Sequence, residues 1–342
     1  MKKSENDFAR FLSIFLSQYL PGELNASKNT ISAYRDTFKL FLVFGETEKG
    51  IRPERLRLNM ISKDFIINFL DWIEGSRKCS ISTRNQRLAA LHAFIKFVLK
   101  ENPENLFEMQ KILAIPMKKH PRPNIQFLTI REIEILLAQP DLKTESGKRD
   151  LVMLAFLYDS GARVQELIDL TRKDIRLDDP AVVCLHGKGR KTRIVPIMSH
   201  TKSLLEDYLM NLRQYTKYAP QDAPVFYNQQ KEKLTRRGVS YILGKYVDKA
   251  REHPEFHNLS KLTCHTLRHS RASHMLQAGI PLIYIRDFLG HVSITSTEIY
   301  ARLDTEMKRK AIEEAYIELN VNDLPAWGKD TELMSWLQNL CR

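Results

Sequence analysis

Five short stretches in the second half of the chain carry side chains suited to work on a phosphate ester. They are GARVQEL with Arg163, HGKGRK with Lys188, HTLRH with His265 and Arg268, LGH with His291, and STEIY with Tyr300. Cleaving a phosphodiester without a metal calls for a nucleophile, cations for the equatorial oxygens of the phosphate, and an acid for the departing alkoxide. Arg163 and Arg268 supply planar forks able to hold a phosphate through paired bonds, which lysine cannot reproduce. Lys188 lies between two glycines, at a turn from which it can reach a ligand, and Lys191 is the nearby competitor for the same role. His265 and His291 can donate hydrogen bonds to non-bridging oxygens or move protons, and His265 is read as the proton acceptor. Tyr300 offers a hydroxyl with an ordinary pKa of about 10, so attack at neutral pH needs nearby cations to favour its phenolate. Glu166, one turn beyond Arg163, is read as the residue that orients the arginine.

In this order the motifs resemble the tyrosine recombinase, or phage integrase, family, which includes Xer-type chromosomal recombinases and transposon integrases. His291 follows Arg268 by 23 residues and Tyr300 follows His291 by nine, spacings similar to the family pattern. The likeness extends over essentially the whole chain. It implies site-specific recombination of double-stranded DNA, with Tyr300 forming a 3′-phosphotyrosyl bond and Lys188 protonating the departing 5′ oxygen. It further implies religation without ATP, a homotetramer on paired core sites, accessory recombination proteins as further partners, and no cofactor. The chain departs from the common family wording at Arg271, where an aromatic or small residue often stands; this is read as a packing or DNA-facing detail. Its 42 residues beyond Tyr300 exceed the tail of compact Xer-type proteins, which favours integration or excision of a mobile element over a housekeeping role. The rival readings are a type IB topoisomerase-like relaxing activity, which needs no paired sites, and a catalytically silent DNA-binding accessory protein. The presence of all six reactive residues argues against the second rival.

Composition agrees with a polyanionic partner. The 342 residues include 53 Lys and Arg against 41 Asp and Glu, a formal net charge of +12. No apolar run approaches the ~20 residues of a membrane-spanning helix, and MKKSENDFAR meets acidic residues before any signal-like apolar core. A membrane partner is therefore not expected, nor an added arm-binding domain before the first helix. Cys79, Cys184, Cys264 and Cys341 stand far apart without a CxxC pair, which points to a reducing, cytoplasmic setting. His265, His269 and His274 lack the glutamate of an HExxH zinc motif, so no metal site is read.

The fold expected to position these groups is mainly α with a small β-sheet. A helical core DNA-binding domain (SAM-like) is assigned to residues 1–115, a linker to 116–127, a mixed α/β catalytic tyrosine-recombinase domain to 128–320, and a tail helix to 321–342. In the first domain, helical spacing unites Phe8, Phe11, Leu12, Phe15 and Leu16, then Ile31, Tyr34, Phe38, Phe41 and Leu42, then Phe65 to Trp72 after a Ser62 cap. A fourth helix, Ser80 to Lys100, bears Arg84, Arg87, Lys96 and Lys100 and no acid; Arg84, Arg87 and Lys96 are the expected DNA contacts there. The proline-rich IPMKKHPRPNIQF contributes Lys118, Lys119 and Arg122, and the hairpin contributes Arg190 and Lys191. Past the linker, Thr129 and Glu132 form a capping-box pattern, Arg149 to Ser160 reads as a helix ended by Gly161, and Ala181–Leu185 and Thr192–Pro196 read as a hairpin. In the tail, Leu333, Trp336, Leu337 and Leu340 share one helical face. It docks either on its own domain or on a neighbouring protomer.

Overall fold

The computed structural model describes residues 7–102, 106–119, 126–187, 191–215 and 222–291, with Thr297 and Asn339. The chain divides into two compact units, Met1–Pro123 and Asn124–Arg342. The described part of the first unit is helical: α1 (Asp7–Ile14), continued by a wider π-helical segment Phe15–Glu23, then α2 (Lys28–Lys49), α3 (Lys63–Gly75), α4 (Ile81–Glu101) and α5 (Leu106–Leu113). Three of these starts are set by serine. Ser27, Ser62 and Ser80 each accept a hydrogen bond from the backbone N–H three residues on, satisfying a donor that the helix itself cannot. The apolar stripes meet in a core rich in phenylalanine, in which Phe38 and Phe94 lie edge-on with centroids 5.1 Å apart and Phe41 meets Phe69 at 5.2 Å. Such pairs add about 0.5–1.5 kcal/mol each beyond the area they bury.

The second unit opens with α6 (Ile130–Leu137), whose start is the Thr129 and Glu132 capping box. Next comes α7 (Glu145–Ser160), which begins four residues before Arg149 because the Thr144 side chain accepts from Gly147 N–H and extends the helix. Val152 to Leu157 are all buried, so α7 is the central helix of this core. It ends at Gly161, which takes the left-handed φ of +56° that side-chain-bearing residues avoid.

The short α8 (Val164–Asp169) leads into an antiparallel sheet in the order β1 (Ile175–Arg176), β2 (Val182–His186), β3 (Thr192–Pro196). The hairpin pairs Val183 with Val195 and His186 with Thr192. β1 adds a strand that the sequence did not announce, since two residues are too few to show an alternating pattern. Among the described residues, four helices follow: α9 (Ser199–Tyr215), α10 (Arg236–Ala250), α11 (Cys264–Gln277) and α12 (Leu282–Leu289). The expectation of a mainly α fold with a small sheet therefore holds. No helix among the described residues is long and apolar enough to cross a membrane.

Candidate active site

The turn after α7 delivers the first arginine. Arg163 is the residue before α8, and it is tied to Glu166 twice: its backbone N–H donates to Oε2 at 2.8 Å and its Nη1 to Oε1 at 2.8 Å. Its Nη2 donates to the carbonyl of Gly290 at 3.3 Å. The second arginine, Arg268, lies on α11 and is only 2% exposed. Its Nη1 donates to the carbonyl of Gly161 and its Nη2 to that of Leu289, both at 2.5 Å. Arg268 and Arg163 thus hold the consecutive carbonyls of Leu289 and Gly290, just before His291. A guanidinium carries five N–H donors, so the bonds from Nη1 and Nη2 of Arg163 fix its fork without exhausting it.

Glu166 is buried at 4% exposure. Burial alone would raise its pKa, but hydrogen bonds and charge from Arg193, then from Arg163, overcome this and hold it at about 2. Arg193, on β3, completes the arrangement: Nη1 and Nη2 donate to Oε1 and Oε2 of Glu166 at 2.9 and 2.8 Å, and Nε donates to the carbonyl of Phe288 at 2.9 Å. Gly187, at the root of the hairpin, packs on the same cluster. A Cβ there would lie 3.3 Å from Glu166 Oε1 and 3.8 Å from Arg163 Nη1.

The histidines sit in the field of these cations. Burial lowers the pKa of His265, and the charges of Arg268 and Arg163 lower it further, against a smaller opposing effect of Glu166. His291 is pushed down to about 4 by burial, then by Arg268, Arg163, His269 and Arg193. Its Nδ1 is 3.0 Å from Thr297 Oγ1. His269, one turn after His265 on α11 and stacked on it with centroids 6.0 Å apart, is likewise pushed down to about 4 by burial, His265 and Arg268. All three imidazoles are thus neutral at neutral pH, because burial and the neighbouring cations disfavour the protonated form. His274 turns into the core instead, its Nδ1 2.9 Å from the hydroxyl of Tyr158. Arg271 is a packing residue, pairing with the buried Asp159 at 3.1 Å.

Of the residues singled out in the sequence, Arg163, Glu166, His265, Arg268 and His291 come together; Lys188, Arg190, Arg122, Tyr300 and the tail residues Leu333, Trp336, Leu337 and Leu340 lie outside the described residues. The expected basic face of α4 needs correction. Arg84 is 5% exposed, faces Glu74 with Nε 3.6 Å from the carboxylate, and donates to Asn85. Arg87 donates to the Ala33 carbonyl at 2.9 Å and to Thr37 at 3.0 Å, binding α4 to α2. An i, i+3 pair of arginines beside a narrow apolar stripe falls on the packing side here, because α2 and α3 cover two sides of α4. Lys96, Lys119 and Lys191 are exposed, and the exposed Lys118 pairs with Glu74 at 2.5 Å.

Two features escaped the sequence. Arg193 was one, although a signal was present: β3 turns Arg193 and Val195 inward and Thr192, Ile194 and Pro196 outward, and a charge in an inward strand position needs a buried partner. The other is the outer side of α10, where Arg237, Ser240, Tyr241 and Lys245 are exposed at helical spacing. Beside them, Arg236 Nε donates to Gln165 at 2.7 Å, two residues after Arg163.

Comparison with known proteins places the chain in a family. The model of the phage integrase family matches residues 126–307, and that of the phage integrase N-terminal SAM-like domain matches 15–102. An integrase/recombinase of Sinorhizobium fredii is 35% identical over 89% of this chain and 90% of its own length. The tyrosine recombinase XerC of Bacillus licheniformis is 34% identical over 88% of this chain and 94% of its own. Among solved structures, the XerH site-specific recombinase bound to a palindromic difH substrate has a TM-score of 0.66 at 23% identity, covering 86% of this chain and 81% of that one. The Tn1549 transposon integrase with transposon right end DNA has a TM-score of 0.65 at 16% identity, covering 87% and 97%. At those identities the structures speak for the fold, while the sequence matches carry the assignment: the chain belongs to the phage integrase family of tyrosine recombinases, whose members break and rejoin DNA.

Proposed function

We propose that this recombinase cleaves double-stranded DNA at specific core sites with Tyr300 as nucleophile. The hydroxyl oxygen of Tyr300 attacks phosphorus, a 3′-phosphotyrosyl bond forms, and the bond to the 5′ oxygen breaks. Lys188 gives that oxygen its proton, and neutral His265 takes the proton of the tyrosine. Arg163 and Arg268 balance the charge on the pentavalent phosphorus, and His291 donates to a non-bridging oxygen. Since the protein–DNA ester retains the energy of the phosphodiester, a second 5′ hydroxyl reverses the step on a partner duplex without ATP. The enzyme acts as a tetramer on paired sites and serves a mobile element by integrating or excising it. The similarity to the Sinorhizobium fredii integrase/recombinase supports this last part.

The observation that carries the reading is the anchoring of Arg163 and Arg268 on the consecutive carbonyls of Gly290 and Leu289. It draws two guanidinium groups and the His291 imidazole to one place. DNA contacts beyond that centre come from exposed cations: Lys96 and Lys119 in the first unit, and Lys191, Arg237 and Lys245 in the second. The test is incubation with nicked duplexes drawn from the DNA flanking the gene, comparing the protein with Tyr300→Phe. A covalent adduct that is lost in the variant is expected; an adduct that survives it overturns the mechanism. A relaxing enzyme would need one site, so dependence on two sites separates recombination from topoisomerase action.

A further inference from the structure

We infer that Arg193 is a positioning residue for the phosphate site, keeping the charge of Arg163 available to DNA and holding the chain ahead of His291 in place. The inference rests on the cleavage chemistry proposed above.

The electrostatic part follows from the Glu166 carboxylate. That carboxylate stays ionised, buried and bonded to Arg163. With Arg163 as sole partner, the ion pair would be neutral and the arginine would present little net charge to a phosphate. Arg193 places its fork on both carboxylate oxygens, so the trio retains one positive charge. That charge falls on Arg163, whose side chain is 33% exposed, rather than on Arg193, which is 10% exposed. Arg193 neutralises the carboxylate from the core side while Arg163 keeps a face toward solvent.

The steric part follows from the other end of the side chain. The Arg193 Nε holds the Phe288 carbonyl at 2.9 Å, and its Cδ lies 3.0 Å from where a Cβ of Gly290 would stand. Three successive carbonyls, those of Phe288, Leu289 and Gly290, are therefore held by Arg193, Arg268 and Arg163 in turn. The segment that enters His291 is fixed from three elements: β3, α11 and the start of α8. A buried ion-pair network is seldom the most stabilising filling for an inward strand position, since apolar residues of similar volume do as well or better. Its presence here points to a task other than stability.

The experiment measures single-turnover adduct formation on the nicked flanking duplex, together with DNA affinity and melting temperature, for wild type, Arg193→Lys, Arg193→Met and the double variant Arg193→Met/Glu166→Gln. Arg193→Met is expected to cleave about 100-fold slower and Arg193→Lys about 10-fold slower, in the range lost with outer partners of reactive groups. DNA affinity should stay within about 3-fold, because many phosphate contacts share it. The double variant is expected to cleave faster than Arg193→Met, because removing the carboxylate charge frees Arg163 again. A purely structural role would give no such rescue. Wild-type cleavage by Arg193→Met, or a double variant no faster than it, overturns the inference. Should Arg193→Met fail to fold, Arg193→Lys decides, since it keeps the charge and loses the fork; wild-type cleavage there is the contrary result. Absence of adduct from the wild type itself overturns the proposed chemistry and this inference with it, whereas a normal wild-type adduct with unaffected Arg193 variants overturns the inference alone.

Discussion

Arg193 lies across Gly290 so closely that its Cδ is 3.0 Å from the place a β-carbon would take, and Gly290 itself adopts a φ of +63°. Two separate reasons thus require glycine in the LGH motif. Gly290→Ala is expected to lose about 1–2 kcal/mol from the left-handed backbone alone, measured by urea unfolding. It should also cleave more slowly as Arg193 is displaced. Stability and cleavage both equal to wild type would show that the segment relaxes freely, contrary to its three carbonyl anchors.

Glu166 is the acidic centre of the site, so its removal should cost more than a surface ion pair would. Glu166→Ala leaves the guanidinium groups of Arg163 and Arg193 facing each other without a carboxylate between them. Breaking a buried pair from one side costs about 3–5 kcal/mol, expected as a lower midpoint in denaturant-induced unfolding of the second unit. A loss under about 1 kcal/mol would place the pair among solvent-screened surface bridges.

The histidine cluster sets a pH dependence of stability. His269 and His291 stay neutral down to about pH 4 in the folded protein, whereas an unfolded chain protonates them near the ordinary value of about 6.5. As pH falls through that window the unfolded state binds protons first, so stability is full above about pH 7 and declines between about 6.5 and 4. Melting temperatures across pH 4–8 should show the decline, and His269→Gln should make it shallower. An unchanged slope in that variant would mean that His269 titrates normally.

The corrected reading of α4 separates two kinds of cation. Lys96→Ala or Lys119→Ala, at exposed sites, is expected to leave the melting temperature unchanged and to reduce the salt dependence of DNA binding by about one counterion each. Arg87→Ala removes bonds to Ala33 and Thr37 and is expected to destabilise the first unit by about 1–3 kcal/mol. The reverse pattern, a stable Arg87 variant with a lost phosphate contact, would restore the original view of that face.

Local structure was legible in the sequence wherever its cause is local. Ser62 caps α3, Thr129 and Glu132 close a box on α6, Gly161 ends α7, and the paired β-branched runs flank the glycine-containing turn, because each depends on residues within a few positions. Family membership was legible for a different reason: the reactive residue types recur in a fixed order that chance does not supply. Where a side chain points is another matter. Charge and periodicity place Arg84 and Arg87 on the outside of α4, and only the packing of α2 and α3 against it reveals Glu74, Ala33 and Thr37 as their partners. Arg193 reads as one more basic residue in RKTRIVP, and becomes the partner of Glu166 and the neighbour of Gly290 only when β3, α8 and the end of α12 meet. The sequence alone determined where capped helices and the hairpin form and which family the chain belongs to, through short-range backbone satisfaction and motif order. Tertiary structure decided which cations remain available, because burial and long-range pairing depend on surfaces that are distant in the chain.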